Sequence, residues 1–159
     1  MAITYEPIAT TTLSSSGTIT FSSIPATYTD LVLITRLIGS TAYDFDIRLN
    51  GDTGSNYSYT ALYGTGSTTG GTTSANLTFM RLDYYGYIET TVGQVNITNI
   101  QNYASTSVFK TAIAQNGNAN NGMGINIGLW RNTAAVNSIS ILGTMSTGSA
   151  ATLYGIKAA

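Results

Sequence analysis

From Tyr43 to Asn50 the chain alternates without a break: Tyr43, Phe45, Ile47 and Leu49 take one parity, and Asp44, Asp46, Arg48 and Asn50 the other. Successive side chains of a strand point to opposite faces, so this run builds one dry and one wet face. Asn50-Gly51-Asp52 then supplies a turn. Runs of the same kind cover 17–24, 29–38, 57–63, 77–82, 93–101, 107–115, 123–131, 136–142 and 151–157. Clusters such as Gly39-Ser40, Asn116-Gly117-Asn118 and Gly143-Thr144 punctuate them. No segment has the 3.6-residue apolar period of a helix. The pattern predicts an all-β chain, a two-sheet antiparallel β-sandwich of jelly-roll type. A single domain is expected over 17–159, with residues 1–16 as an extended N-terminal arm able to reach a neighbour. The stretch 64–75, made of Gly, Thr, Ser and one Ala, reads as a flexible loop.

The surface implied by this pattern is polar but hardly charged. Thr, Ser and Asn number 27, 16 and 13, whereas charged residues make up only 8%, against roughly 25% in an average soluble protein. Weak self-repulsion of this kind suits a chain that works packed against other subunits. Six basic residues are scattered along a chain of net charge −1, so the counterion-release contribution that drives nucleic-acid binding is missing and no nucleic-acid partner is expected. The longest apolar run, Leu31-Val32-Leu33-Ile34, is strand-sized, so no membrane span is expected. Met1 to Glu6 has neither a basic nor an apolar leader segment, which predicts synthesis and assembly in a cytoplasm.

A catalytic apparatus is hard to assemble from these residues. There is no His and no Cys, which removes the commonest general base and the strongest nucleophile. Asp44 and Asp46 share a strand face with side chains about 7 Å apart, a carboxylate spacing known from glycosidases, but on the wet face of an alternating strand. No enzyme activity and no cofactor are expected. Asp44, Asp46 and Asp52 bracket one turn with oxygen ligands of the kind Ca²⁺ takes, at a spacing unlike that of an EF-hand. They are the candidate cation site.

Tyrosine is the residue with the clearest functional signal. Six of the 11 tyrosines, Tyr57, Tyr59, Tyr63, Tyr84, Tyr85 and Tyr87, crowd the middle of the chain. Tyr57, Tyr59 and Tyr63 share one strand face, whereas consecutive Tyr84 and Tyr85 must point to opposite sides of any strand that contains them. A large apolar ring with a polar tip suits cross-strand packing, a subunit interface or a saccharide-binding surface. The six together are the candidate interaction surface.

Two segments carry a family resemblance. Arg48-Leu49-Asn50-Gly51-Asp52-Thr53-Gly54-Ser55-Asn56-Tyr57 resembles an R-x-N-G-D-T-G-x-N-Y stretch of tailed-bacteriophage virion proteins. Gly148-Ser149-Ala150-Ala151-Thr152-Leu153-Tyr154-Gly155-Ile156-Lys157 is similar to their G-S-x-x-x-L-Y-G-I-K ending. The resemblance implies a jelly-roll-like subunit on the particle surface. In that setting, a chain from Met1 to Ala159 leaves no room for a fibre shaft. The leading expectation is therefore a capsid decoration (cement) protein, a homotrimer bridging subunits of the major capsid protein. The alternative is a tail-fibre, baseplate or receptor-binding tip module that recognises host glycans. Within the motifs, Asn50-Gly51 and Gly54 are expected at positive φ, Arg48 to tie the loop through Asp52 or a carbonyl, and Trp130 to anchor the core.

Overall fold

The computed structural model describes residues 4–85 and 87–157, and these form twelve strands, all paired antiparallel. In chain order they are β1 (Thr4–Thr12), β2 (Gly17–Phe21), β3 (Asp30–Leu37), β4 (Asp46–Leu49), β5 (Tyr57–Gly64), β6 (Thr69–Leu77), β7 (Met80–Arg81), β8 (Gln94–Gln101), β9 (Lys110–Asn118), β10 (Gly122–Trp130), β11 (Ile139–Met145) and β12 (Ala150–Lys157). One sheet has the order β1-β12-β3-β8-β9-β10-β5-β6 and the other the order β2-β11-β4-β7. The chain is thus a two-sheet β-sandwich, as the alternation predicts.

The strand order separates the sandwich into a jelly roll and an addition. β1-β12-β3-β8 facing β2-β11-β4-β7 is the eight-stranded double-Greek-key winding of a jelly roll. The hairpins β9–β10 and β5–β6 continue the first sheet beyond β8. β7 lies over β5 and β10, so the added strands remain attached to the sandwich. Apolar side chains of both layers, among them Ile19, Leu31, Leu33, Phe45, Ile47, Leu49, Ile139 and Leu153, fill the interior of the jelly roll.

Two segments differ from their sequence reading. Most of 64–75 is not a loop: β6 pairs along the whole of β5, and only the turn 65–68 joins them, closed by Thr65 N–H to Thr68 O at 2.8 Å. Low complexity does not preclude a strand when an adjacent edge supplies the hydrogen bonds and Thr suits an exposed pleat. Residues 4–12 of the expected arm lie along this chain's own β12, with an irregularity between Pro7 and Ala9; residues 1–3 lie outside the described residues.

The turn after β4 is structural throughout. Asn50 and Gly51 adopt φ of 53° and 65°, as a left-handed turn requires. Gly54 is needed for another reason than the positive φ expected of it: a Cβ there would lie 2.7 Å from the Asn56 amide and 3.1 Å from the Asp52 carboxylate. Asp52 gathers this loop, accepting hydrogen bonds from Gly54 N–H (2.8 Å), Asn56 Nδ2 (2.9 Å) and the buried indole Nε1 of Trp130 (2.7 Å). Burial opposes the charge of Asp52, but these donors outweigh it and hold the carboxyl below the usual range. Arg48 ties down a different segment, donating from Nε to Thr78 O at 3.0 Å. Trp130 is indeed a core anchor, stacked on Tyr57 with ring centroids 6.2 Å apart. Replacing Asp52 with Ala leaves the indole N–H without its acceptor and is expected to cost about 2–4 kcal/mol of stability. Urea unfolding followed by fluorescence of Trp130 measures it; a loss below ~1 kcal/mol contradicts this role.

Candidate functional site

The segment between β7 and β8 belongs to no long strand, yet it lies over the inward face of β8, β9 and β10. Buried backbone polar groups need partners, and here the sheet supplies them from side chains. Asn96 and Asn116, directly opposite each other on β8 and β9, both donate through Nδ2 to Leu82 O, at 3.3 and 3.0 Å. Asn118 donates to Tyr87 O at 2.8 Å, and Gln94 Nε2 donates to the Asp83 carboxylate. From the other side, Leu82 N–H reaches Phe45 O at 2.8 Å, and Tyr43 and Ile88 exchange backbone hydrogen bonds at 2.9 and 3.1 Å. An irregular loop is thus held on a rigid platform.

This loop brings most of the sequence-predicted tyrosines together. Tyr63 stacks on Tyr85 with centroids 4.4 Å apart and lies 5.2 Å from Tyr84; Tyr85 is 6.0 Å from Tyr87, and Tyr59 is 6.5 Å from Tyr84. Tyr57 is not in the group, being fully buried against Trp130. Tyr84 and Tyr85 lie in no strand, so the rule that would send their rings to opposite sides of a strand does not apply to them. Tyr85 sits at φ 74°, and the two rings meet edge to face at 5.1 Å. Positive φ in a bulky residue costs of order 1–3 kcal/mol and persists where the surroundings enforce it. Opposite Tyr63, Gly70 leaves room for the ring, since a Cβ would lie 2.6 Å from its hydroxyl. Burial pushes the Tyr59 and Tyr87 hydroxyls above their ordinary range.

Beside the tyrosines stands an ion-pair group. Arg81 meets Asp44 Oδ2 at 2.6 Å and Asp46 through Nε and Nη2 at 3.0 and 3.1 Å. Burial pushes Asp46 up to about 6 although Arg81 favours its charge, whereas Arg81 is raised by the two carboxylates despite its own burial. Asp52 does not join Asp44 and Asp46, because it is engaged with Trp130 at the turn. Among the described residues no three acidic groups come together as a metal site.

The opposite face of the same strands is unlike a normal surface. On β10, Met123, Ile125 and Ile127 point outward, while Gly124, Asn126 and Gly128 point inward; on β8, Val95 and Ile97 point outward and Gln94, Asn96 and Thr98 inward. Register continues this face through Ile34, Ile97, Gln115, Ile125 and Leu62 in one row. Seven of the exposed large hydrophobic residues lie here, with Met123 68% and Leu62 65% exposed. Sequence reasoning missed this face because period 2 defines two faces without saying which is dry.

It also missed Asp83 and Lys110. Lys110 is fully buried and donates to Ser105 O, Val108 O and Thr133 O at 2.8, 2.7 and 3.1 Å, a structural lysine whose burial lowers its pKa. Asp83 is fully buried beneath the tyrosine loop, and burial pushes its carboxyl up to about 7. Between pH 4 and 7 the unfolded chain has therefore ionised Asp83 while the folded chain keeps its proton, so stability falls as pH rises through that window. Asp46 contributes the same sign up to about pH 6. The thermal midpoint is expected to be about 5 °C or more higher at pH 5 than at pH 8. In Asp83→Asn the fall should end near pH 6; scanning calorimetry across pH checks it, and an unchanged profile refutes it. The chain matches no family model, and no curated protein and no solved structure matches it.

Proposed function

We propose that this chain is a structural subunit of the surface of a bacteriophage particle, a decoration protein that self-associates and stabilises the head by bridging capsid subunits. The observation that carries the reading is the aliphatic outer face of β8, β9, β10 and β5. Apolar patches at the large end of what monomers expose mark interaction surfaces. Seven large apolar residues lie on this one face, each between 38% and 68% exposed.

A second copy of the chain is the occupant that fits. Arg36, at the margin, is the one charged residue in the rows through Val95, Ile97 and Asn99, so a charged partner finds little to pair with. The face is the outer side of a sheet, and the corresponding faces of neighbouring copies can cover it around a shared axis. The edge strand β6 beside it has neither charge nor proline along Thr69–Leu77, the usual guards of a free edge. Several such faces meeting around one axis give the homo-oligomer, and a trimer is the form this reading takes. The resemblance of residues 48–58 and 148–157 to phage virion proteins supports the setting, and the scarcity of charge agrees with a surface spent on neighbours.

Sedimentation equilibrium is expected to give a trimer for the natural chain and a folded monomer for Ile125→Asp; a natural chain that stays monomeric at tens of micromolar overturns the self-association. Particles lacking this protein should lose resistance to heat or low ionic strength, and unchanged particle stability overturns the cement role.

A further inference from the structure

Where the tyrosine loop meets the start of β4, two adjoining recesses share Tyr43 and Asp44. One, of about 340 Å³, is lined by Ala42, Tyr43, Asp44 and Tyr87. The other, of about 300 Å³, is lined by Tyr43, Asp44, Asp46, Arg81, Leu142 and Gly143. Each is at the small end of the range that holds ligands, and they adjoin along Tyr43 and Asp44, which line both; the two recesses are together termed the groove.

The chemistry of the lining is specific. The side chains of Asp44 and Arg81 are each about a fifth exposed, at 22% and 21%, so the ion pair is reachable from the groove while held 2.6 Å apart. Asp46 fixes the far side of the same guanidinium. Tyr43, which lines both recesses, has a buried hydroxyl with no hydrogen-bond partner. Its ring presses on Gly143, where a Cβ would lie 2.5 Å away, so the wall beneath it is rigid. Tyr87 forms the rim and leads into the rings of Tyr85, Tyr84 and Tyr63.

We infer that this groove binds a neutral saccharide, with a pyranose ring against Tyr87 and neighbouring hydroxyls on the Asp44–Arg81 pair. A pyranose offers a face of C–H groups to an aromatic ring and, at its edge, hydroxyls that both donate and accept. A carboxylate that only accepts, next to a guanidinium that only donates, matches two adjacent hydroxyls. Two carboxylates against one guanidinium leave the groove net negative, which disfavours uronic or sialic acids and peptide carboxylates. The strained backbone at Tyr85 and the buried amides under the loop hold the platform in place before any ligand arrives, so little ordering cost remains.

The test is a titration of the full chain, labelled with ¹⁵N, with maltohexaose, cellohexaose and chitohexaose, and with polysialic acid as the anionic comparison. At least one neutral oligosaccharide should shift the amides of residues 42–46 and 84–88 with a millimolar or tighter affinity, and polysialic acid should not. Tyr87→Ala and Asp44→Asn should each weaken binding at least tenfold while the spectrum stays that of a folded chain. No shift with any neutral sugar, preference for the anionic one, or full binding by both variants overturns the inference. Ile125→Asp, which removes the proposed self-association, should bind the sugar with unchanged affinity per chain; failure of one proposal is thereby distinguished from failure of the other.

Discussion

The carbonyls of Leu82 and Tyr87 lie over the sheet and are satisfied by side chains, and much of the tyrosine loop's placement follows from that demand. Both carbonyls face the inward side of β8 and β9, so that side has to carry donors. Asn96, Asn116 and Asn118 supply them, and Gln94 holds the Asp83 carboxylate beside them. On the outward side of the sheet, β8 and β10 carry Val95, Ile97, Ile125 and Ile127. The polarity of this part of the sheet is inverted relative to an ordinary half-exposed sheet, in which apolar residues face in. That hydrogen-bonding constraint accounts for the fixed tyrosine loop and the amides beneath it; the aliphatic outer face is a separate feature of the same strands.

The jelly-roll half obeys the ordinary rule, and the residues that join it to the added hairpins are those of the recognisable motifs. Trp130, at the end of β10, stacks on Tyr57 at the start of β5 and donates to Asp52 in the turn after β4. Asn50 reaches across to the 135–138 segment, donating to Ala135 O at 2.8 Å and accepting from Asn137 and Ser138. The closing segment supplies β12, which lies between β1 and β3 and so stitches the sheet's first edge. These residues set where the extension leaves the sandwich.

Alternation made many strands legible: from Tyr43 to Asn50 the apolar residues take one parity and the run ends in a turn, and short apolar runs bounded by Gly, Asn or Ser marked others such as 29–38. It failed where the physical signal is absent or ambiguous. β6 has no apolar parity, since both of its faces are small or polar, and its pairing depends on β5 alone. On β8 and β10 the parity is plain but its sense is reversed. The tyrosine group was visible as a local excess in the sequence. Its geometry was not, because φ of 74° at Tyr85 rotates a ring that strand logic sends to the other side. Arg81 and Asp83 gave no signal at all: their partners Asp46 and Gln94 are 35 and 11 residues away in the chain.

The two proposed surfaces use different residues: the groove is lined from β4, β7, β11 and the tyrosine loop, and the aliphatic face from the outer side of β8, β9, β10 and β5, so one does not occlude the other. Copies that meet through the outer face of β8, β9, β10 and β5 cover the aliphatic rows, and none of the residues that line the groove is among them. Each copy then presents one shallow groove, rigidly and at a fixed spacing from its neighbours. A single open groove of this size holds a sugar weakly, but several on one assembly act together when a polymer of repeating sugars spans them, and avidity then exceeds single-site affinity by orders of magnitude. A particle surface carrying many such assemblies amplifies this further. With self-association proposed through one face, the proposed groove would stay available for contact with a ligand.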